Sequence, residues 1–407
     1  MNVLMISPGY PAEMPFFTRG LAAEGARVFG LGDQPREALP HDVRSALVAY
    51  LRVDNLWDEP RVVRLVRDEV RAHGARIDRV ECLWEPGMIL AARLREALGA
   101  PGLSVAQTVP FRDKQRMKEV LDAAGIRTPW HVRASSAAEV RAAAERRGYP
   151  LIVKPIAGAG SSDTYRVDDR AALEAVLPRL GHVPQVSVEE FVDGDEFTFD
   201  TVCVDGRIAY ENVSFYRPRP LEEKQHEWIS PSSTCLRDLD QPELQGGRRL
   251  GRAVLRALGF RTGFTHMEWY RRHDGEVVFG EIGARPPGAR LVHAMNFASD
   301  IDLFRGWAEA VCHERFSQPV VRRYNAAVVF KRARGQGRIQ RYEGLERLRA
   351  ELGPWLVAVE LQPIGSPRQD WRSSSVSDGW LVVRHPDLQT CFRLAERVGS
   401  ELQLYAG

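Results

Sequence analysis

The chain has 407 residues, 44% hydrophobic and 27% charged, with a formal net charge of +2. That length allows two or three domains with an ample core. Basic residues are scattered rather than striped, which gives no support for a nucleic-acid groove, and no run nears the roughly 20 apolar residues that span a bilayer. Cys82, Cys203, Cys235, Cys312 and Cys391 are odd in number and form no CxxC pair, which suits reduced thiols better than a disulfide frame or zinc site. The apolar run 3–6 is too short for a signal peptide, so a cytoplasmic protein is expected. Only five of the 56 basic residues are lysines: Lys114, Lys118, Lys154, Lys224 and Lys331. Against an arginine background, a retained lysine marks a place for a compact point charge instead of a planar guanidinium.

The first hundred residues alternate short apolar strands with helices. Residues 2–6 and 27–31 read as strands around a helix ending near Gly25. Val62, Val66 and Val70 stripe a helix stopped by Gly74, and 79–84 is a further strand. This rhythm implies a parallel sheet with helices on its faces. The first loop, Ser7-Pro8-Gly9-Tyr10-Pro11, lacks the spacing of a dinucleotide-binding turn. Residues 101–110 read as a linker. Met117, Val120, Leu121 and Ala124 mark the next helix, and Ser136 with Glu139 forms a capping-box pattern before another. A strand at 151–154 enters a Gly/Ser loop, and strands continue over 186–216 with Asp205-Gly206 as a hairpin turn. The polar stretch 218–240 reads as a long surface loop of the kind that serves as a lid. A helix near 242–258, a hairpin over 262–282 and a separate α+β lobe over 321–407 complete the chain.

The hairpin carries the strongest chemical signal. Asp274-Gly275 is a favourable two-residue turn, and positions facing each other across it sum to 549, as Glu268 and Glu281 do. Their Cβ atoms would lie roughly 5 Å apart. Facing carboxylates repel unless a cation lies between them, and hard Mg²⁺ prefers carboxylate oxygens. The apolar flanks 264–267 and 277–279 argue that the pair is not simply solvated. An odd-length turn would break this register. A second signal is Lys154 at a strand end before Gly158, Gly160, Ser161 and Ser162, where small residues let backbone N–H groups approach phosphate. A third is the acidic strand-turn-strand Glu189-Glu190-Phe191-Val192-Asp193-Gly194-Asp195-Glu196. Taken singly, each of the last two also fits an ordinary surface turn.

In this order the pieces resemble the ATP-grasp superfamily, from about residue 110 to 302. The resemblance implies an α/β protein: a parallel N-terminal domain over 1–109, a two-lobed ATP-grasp domain over 110–320 with its small lobe at about 130–188, and the C-terminal lobe. It implies that Lys114 and Lys154 contact ATP phosphates, that Glu189, Glu190, Phe191 and Val192 form the adenine hinge, and that Glu196 holds the ribose. Glu268 and Glu281 become ligands of Mg²⁺, for which Mn²⁺ can substitute. Gly283 stands where the family commonly has an asparagine ligand. Arg285, four residues after Glu281, with the stretch 228–231, is similar to L-amino acid ligases and related carboxylate–amine ligases, where the arginine holds a carboxylate or the transferred phosphoryl group. The implied partners are a small carboxylate and an amine, neither nucleic acid nor membrane, in a monomer or homodimer. Bicarbonate activation, nucleotide-precursor synthesis and a non-catalytic ATP-binding module remain rival readings. Glu268, Glu281 and Arg285 together favour ligation.

Overall fold

The computed structural model describes residues 1–158, 163–223, 226–371, 374 and 376–407. The chain opens on a parallel sheet ordered Leu47–Arg52, Arg27–Gly32, Asn2–Ile6, Arg79–Glu81, as the βαβ rhythm predicts. The strand Leu47–Arg52 went unread because only its first residue is buried, leaving no alternation to detect. Residues 101–110 are not a bare linker. Ser104 caps a short helix, Val105–Thr108, through a full capping box.

A four-stranded antiparallel sheet follows, ordered His131–Ala134, Val186–Glu190, Leu151–Pro155, Tyr165–Val167. Helices Ala137–Arg147 and Arg170–Val176 supply Val140, Ala143, Ala144, Leu173 and Val176 to its core. The capping box at Ser136 is half formed: Ser136 accepts from the Glu139 N–H, but the Glu139 carboxylate turns to the Ser135 N–H instead.

The third sheet is the largest and runs through most of the remaining chain. From one edge it is ordered Val277–Gly283, Gly263–Arg271, Asp195–Val204, Ser214–Arg217, Ser232–Cys235, Asn325–Phe330, Gly379–His385, Leu356–Leu361. Two expectations change here. The stretch 218–240 is not all loop, because Ser232–Cys235 is an interior strand pairing Ser214–Arg217 and Asn325–Phe330. Its sequence, Ser-Ser-Thr-Cys, shows no apolar alternation, although Thr234 and Cys235 are fully buried. Nor is 321–407 a lobe apart, since three of its strands extend this sheet.

Close packing fixes the hairpin edge. Helix Pro242–Ala257 lies on it so tightly that a Cβ at Gly247 would come 2.2 Å from the Trp269 ring, and one at Gly251 2.2 Å from Phe199. At the other contact, Phe17 of helix Met14–Ala23 packs edge-on against Phe304 and Trp307 of helix Leu303–His313, joining the first domain to the large sheet.

Glu268 does face Glu281, as the sequence register predicts, but by another route. The turn holds three residues: the Arg272 N–H donates to the Glu276 carbonyl, and Gly275 alone takes a left-handed φ of 88°. That odd turn gives Trp269 opposite Phe279, one step out of the expected register. A bulge between Glu268 and Trp269 then restores it. The extra residue on the partner strand is Gly280, where a Cβ would meet the Glu268 carbonyl oxygen at 2.8 Å. Two irregularities cancel, and the carboxylates meet.

Candidate functional site

A cavity of about 510 Å³ opens where the three sheets converge. Trp84 and Glu85 reach it from the parallel sheet, Lys154, Glu189 and Phe191 from the small lobe, and Glu196, His266, Glu268, Glu281 and Arg285 from the large sheet. Lys114 begins helix Lys114–Ala123, whose first turn is held by Asp113 accepting the Gln115 and Arg116 N–H groups.

The lysines converge on two carboxylates. Lys114 Nζ lies 2.9 Å from Glu281 Oε1 and donates to the Gly158 carbonyl at 2.8 Å. Lys154 Nζ lies 3.1 Å from Glu189 Oε2 and 3.9 Å from Glu281 Oε2. Burial works against the charge of Lys154, but Glu189 and Glu281 outweigh it and raise its pKa. For Glu281, burial favours the neutral acid, yet Lys114 and Lys154 hold its pKa below the usual carboxylate range. Gly158 is thus at the site, whereas Gly160, Ser161 and Ser162 lie outside the described residues.

Glu189 lines the cavity and is also paired beneath it. It is 3% exposed, accepts the Ser187 hydroxyl at 2.8 Å, and lies between Lys154 and the fully buried Lys118, whose Nζ is 2.7 Å away. Its side chain is the counter-ion of two lysines, with burial opposed and overcome by both. Glu190 points elsewhere, tied to Arg127, Arg147 and the Trp130 N–H. All four residues of the expected hinge, Glu189, Glu190, Phe191 and Val192, line the cavity. Lys118 was missed as a site residue, although the scarcity of lysine was the signal that could have found it.

Arg219 was also missed. Its guanidinium lies over the Phe191 and Tyr270 rings, 5.2 and 5.1 Å from their centroids. It donates to Glu196 Oε2 at 3.1 Å and to the Val192 carbonyl at 3.4 Å. Sequence gave no cue, because Arg219 stands in a polar stretch with no periodicity. Glu196 is buried, and burial together with the charge of Glu268 raises its pKa to about 7 despite Arg219.

Glu268 and Glu281 offer hard oxygen donors from facing strand positions, and both remain partly open to the cavity. The repulsion by which Glu268 raises the Glu196 pKa is what an added cation would relieve. These residues fit a divalent ion. Among the described residues no third acid, histidine or cysteine completes the cluster. At Gly283, a Cβ would lie 3.2 Å from the Arg285 Cγ. The missing side chain makes room for the arginine to fold back across the strand.

Arg285 is no surface residue. Its Nε and Nη2 both donate to Glu85 Oε2, at 2.9 and 2.7 Å, and its Nη1 donates to the Pro286 carbonyl. Arg112 holds the other Glu85 oxygen. Burial would lower the Arg285 pKa, but Glu85 more than compensates. Behind Glu268, His266 Nδ1 sits 2.6 Å from buried Asp200, which also accepts from Thr198 and Asn212. Burial disfavours the imidazolium, yet Asp200 raises its pKa to about 9.

Residues 119–289 match the family model of the ATP-grasp domain. The L-arginine-specific L-amino acid ligase of Bacillus subtilis is 24% identical over 234 residues, 56% of this chain and 56% of that protein. A D-alanine–D-alanine ligase of Xanthomonas axonopodis pv. citri is 37% identical over 208 residues, 47% of this chain and 62% of that one. Such matches therefore span between half and two thirds of these relatives' lengths. The crystal structure of an L-amino acid ligase from Bacillus licheniformis superposes with a TM-score of 0.81 at 21% identity, covering 100% of this chain and 98% of its own. N5-carboxyaminoimidazole ribonucleotide synthetase from Thermotoga maritima gives 0.72 at 16% identity, covering 100% and 99%. The match thus places an ATP-grasp domain at the centre of the chain, over residues 119–289, and over its whole length the chain has the fold seen in the Bacillus licheniformis ligase.

Proposed function

We propose that the chain is an ADP-forming carboxylate–amine ligase that joins an amino acid or other small carboxylate to an amine through an acyl phosphate. One observation carries this reading: Lys114 and Lys154 meet on Glu281, Glu281 faces Glu268, and a buttressed Arg285 enters the same cavity.

In this reading Phe191 and the Val192 backbone receive the adenine and Glu196 the ribose, with Arg219 moving off Val192 and Glu196 as nucleotide enters. Lys114 and Lys154 turn from Glu281 to the phosphates, and Glu268 and Glu281 hold Mg²⁺. A metal bound there would neutralise charge on the terminal phosphates. Arg285 orients the substrate carboxylate, one oxygen of which forms a bond to the γ-phosphorus as the bond to ADP breaks. The amine nitrogen then attacks the acyl carbon, Arg285 stabilises the oxyanion, and phosphate leaves with its bridging oxygen and takes up the proton the amine gives up. Glu85 and Arg112 keep the guanidinium aimed, so little reorganisation is needed during the reaction.

The test is a product analysis with paired amino acids and amines: ADP and phosphate should appear in step with amide. AMP with pyrophosphate, or bicarbonate as the sole trigger of ADP release, would replace this reading with another. Glu281→Gln should abolish turnover, and retention within about tenfold of the parent, 1.4 kcal/mol, would remove the metal assignment.

A further inference from the structure

The loops at the carboxyl ends of three parallel strands carry one aromatic residue each. Tyr10 follows Asn2–Ile6, Trp57 follows Leu47–Arg52, and Trp84 follows Arg79–Glu81. They converge: Trp84 lies 5.3 Å from Tyr10, edge to face, and 5.3 Å from Trp57. Tyr10 is 51% exposed and Trp57 50%, while Trp84 is half-buried and lines the cavity. Ligands of open parallel sheets collect at this edge. A patch of large aromatic side chains left open at such a place marks a contact surface.

The neighbour of Trp84 in sequence is Glu85, the residue that grips Arg285. A molecule whose reacting end is held by Arg285 therefore presents its remainder near the indole. Two carboxylates stand at this end. Glu85 is shared by Arg285 and Arg112, and Glu13 accepts the Arg290 N–H at 3.2 Å. Beside these two acids the cavity lining here is apolar, from Pro11, Met14, Leu83 and Trp84. An incoming charged side chain would lose its hydration against these apolar residues, whereas an apolar one gains by leaving water.

We infer that the carboxylate substrate of the proposed ligase is an amino acid with a bulky apolar side chain, seated on Trp84 within a rim completed by Tyr10 and Trp57. This rests on the proposed reaction only for the role of Arg285. Two measurements separate the claims. The first is calorimetric binding of leucine, phenylalanine, alanine, glutamate and arginine to the full chain with a non-hydrolysable ATP analogue and Mg²⁺. Leucine and phenylalanine should bind tightest, and Trp84→Ala should cut their preference over alanine by about tenfold or more, the scale of discrimination in an apolar pocket. Trp84→Phe should restore part of that preference, and Trp57→Ala should lower it in the same direction. An unchanged affinity for the ATP analogue shows that each variant is folded. The second measurement replaces the amine by hydroxylamine and reads hydroxamate from each amino acid. Apolar preference lost in Trp84→Ala, with no hydroxamate from any donor, keeps the inference and sinks the ligase reading. Hydroxamate formed best from glutamate or arginine, or an equal loss of all five amino acids in Trp84→Ala, keeps the ligase reading and overturns the inference.

Discussion

The Lys118–Glu189–Lys154 cluster allows a stability prediction worked from asymmetry. Lys118 is fully buried, and among the described residues Glu189 is its hydrogen-bond acceptor, at 2.7 Å. Glu189 by contrast keeps Lys154 at 3.1 Å and the Ser187 hydroxyl at 2.8 Å when Lys118 is removed. Glu189→Gln should therefore be the costlier change, since it strands a buried ammonium; such breaks cost about 3–5 kcal/mol. Lys118→Met leaves a carboxylate still paired and should cost about 1–3 kcal/mol, the range for a lost bond to a charged group. Lys118→Met/Glu189→Gln should fall short of the sum by at least about 1 kcal/mol, because its second change no longer isolates Lys118. The assay is thermal unfolding of all four proteins, with hydrogen exchange of strand Val186–Glu190 to localise the effect. Lys118 and Lys154 hold Glu189 below the usual carboxylate range against the opposing effect of burial. The stabilisation is therefore fully present above the ordinary glutamate value of 4.5 and is lost as pH falls below it. Additive single changes, or Glu189→Gln costing less than Lys118→Met, would refute the argument.

Further outcomes follow from the same geometry. Arg285→Lys should leave nucleotide affinity nearly intact but lower phosphate release about a hundredfold, near 2.7 kcal/mol, because lysine cannot span Glu85 and a substrate at once; unchanged turnover would take Arg285 out of the chemistry. Gly251→Ala places a methyl 2.2 Å from Phe199 and should lower stability by about 1–3 kcal/mol, and a thermal midpoint equal to the parent's would contradict the close helix–sheet packing. His266 has its pKa raised from 6.5 to about 9, so its contribution is complete below 6.5 and fades as pH rises through 9. Midpoints measured between pH 7 and 10 should fall faster for the parent than for Asp200→Asn; parallel curves would dismiss the ion pair.

The sequence by itself determined the order of the pieces and the kinds of residue they bring. The parallel first sheet was legible because its strands and helices carry local apolar periodicities. Lys114, Lys154, Glu268, Glu281 and Arg285 were legible as types in order, and they share one cavity. The facing of Glu268 and Glu281 was read correctly from a turn that does not exist as read. Only the paired strands determine that a three-residue turn and a bulge at Gly280 offset each other. Tertiary structure alone decided the rest. Burial opposite Lys118 made Glu189 a counter-ion, because a carboxylate 3% exposed must find cations. Ser232–Cys235 became an interior strand because its neighbours supply both ladders, which a stretch without apolar alternation cannot announce. Arg219 reached Val192 and Glu196 across the fold, and Glu85, distant in sequence, came to brace Arg285. Those are contacts between residues far apart along the chain, set by how sheets and loops pack, and periodicity carries no trace of them.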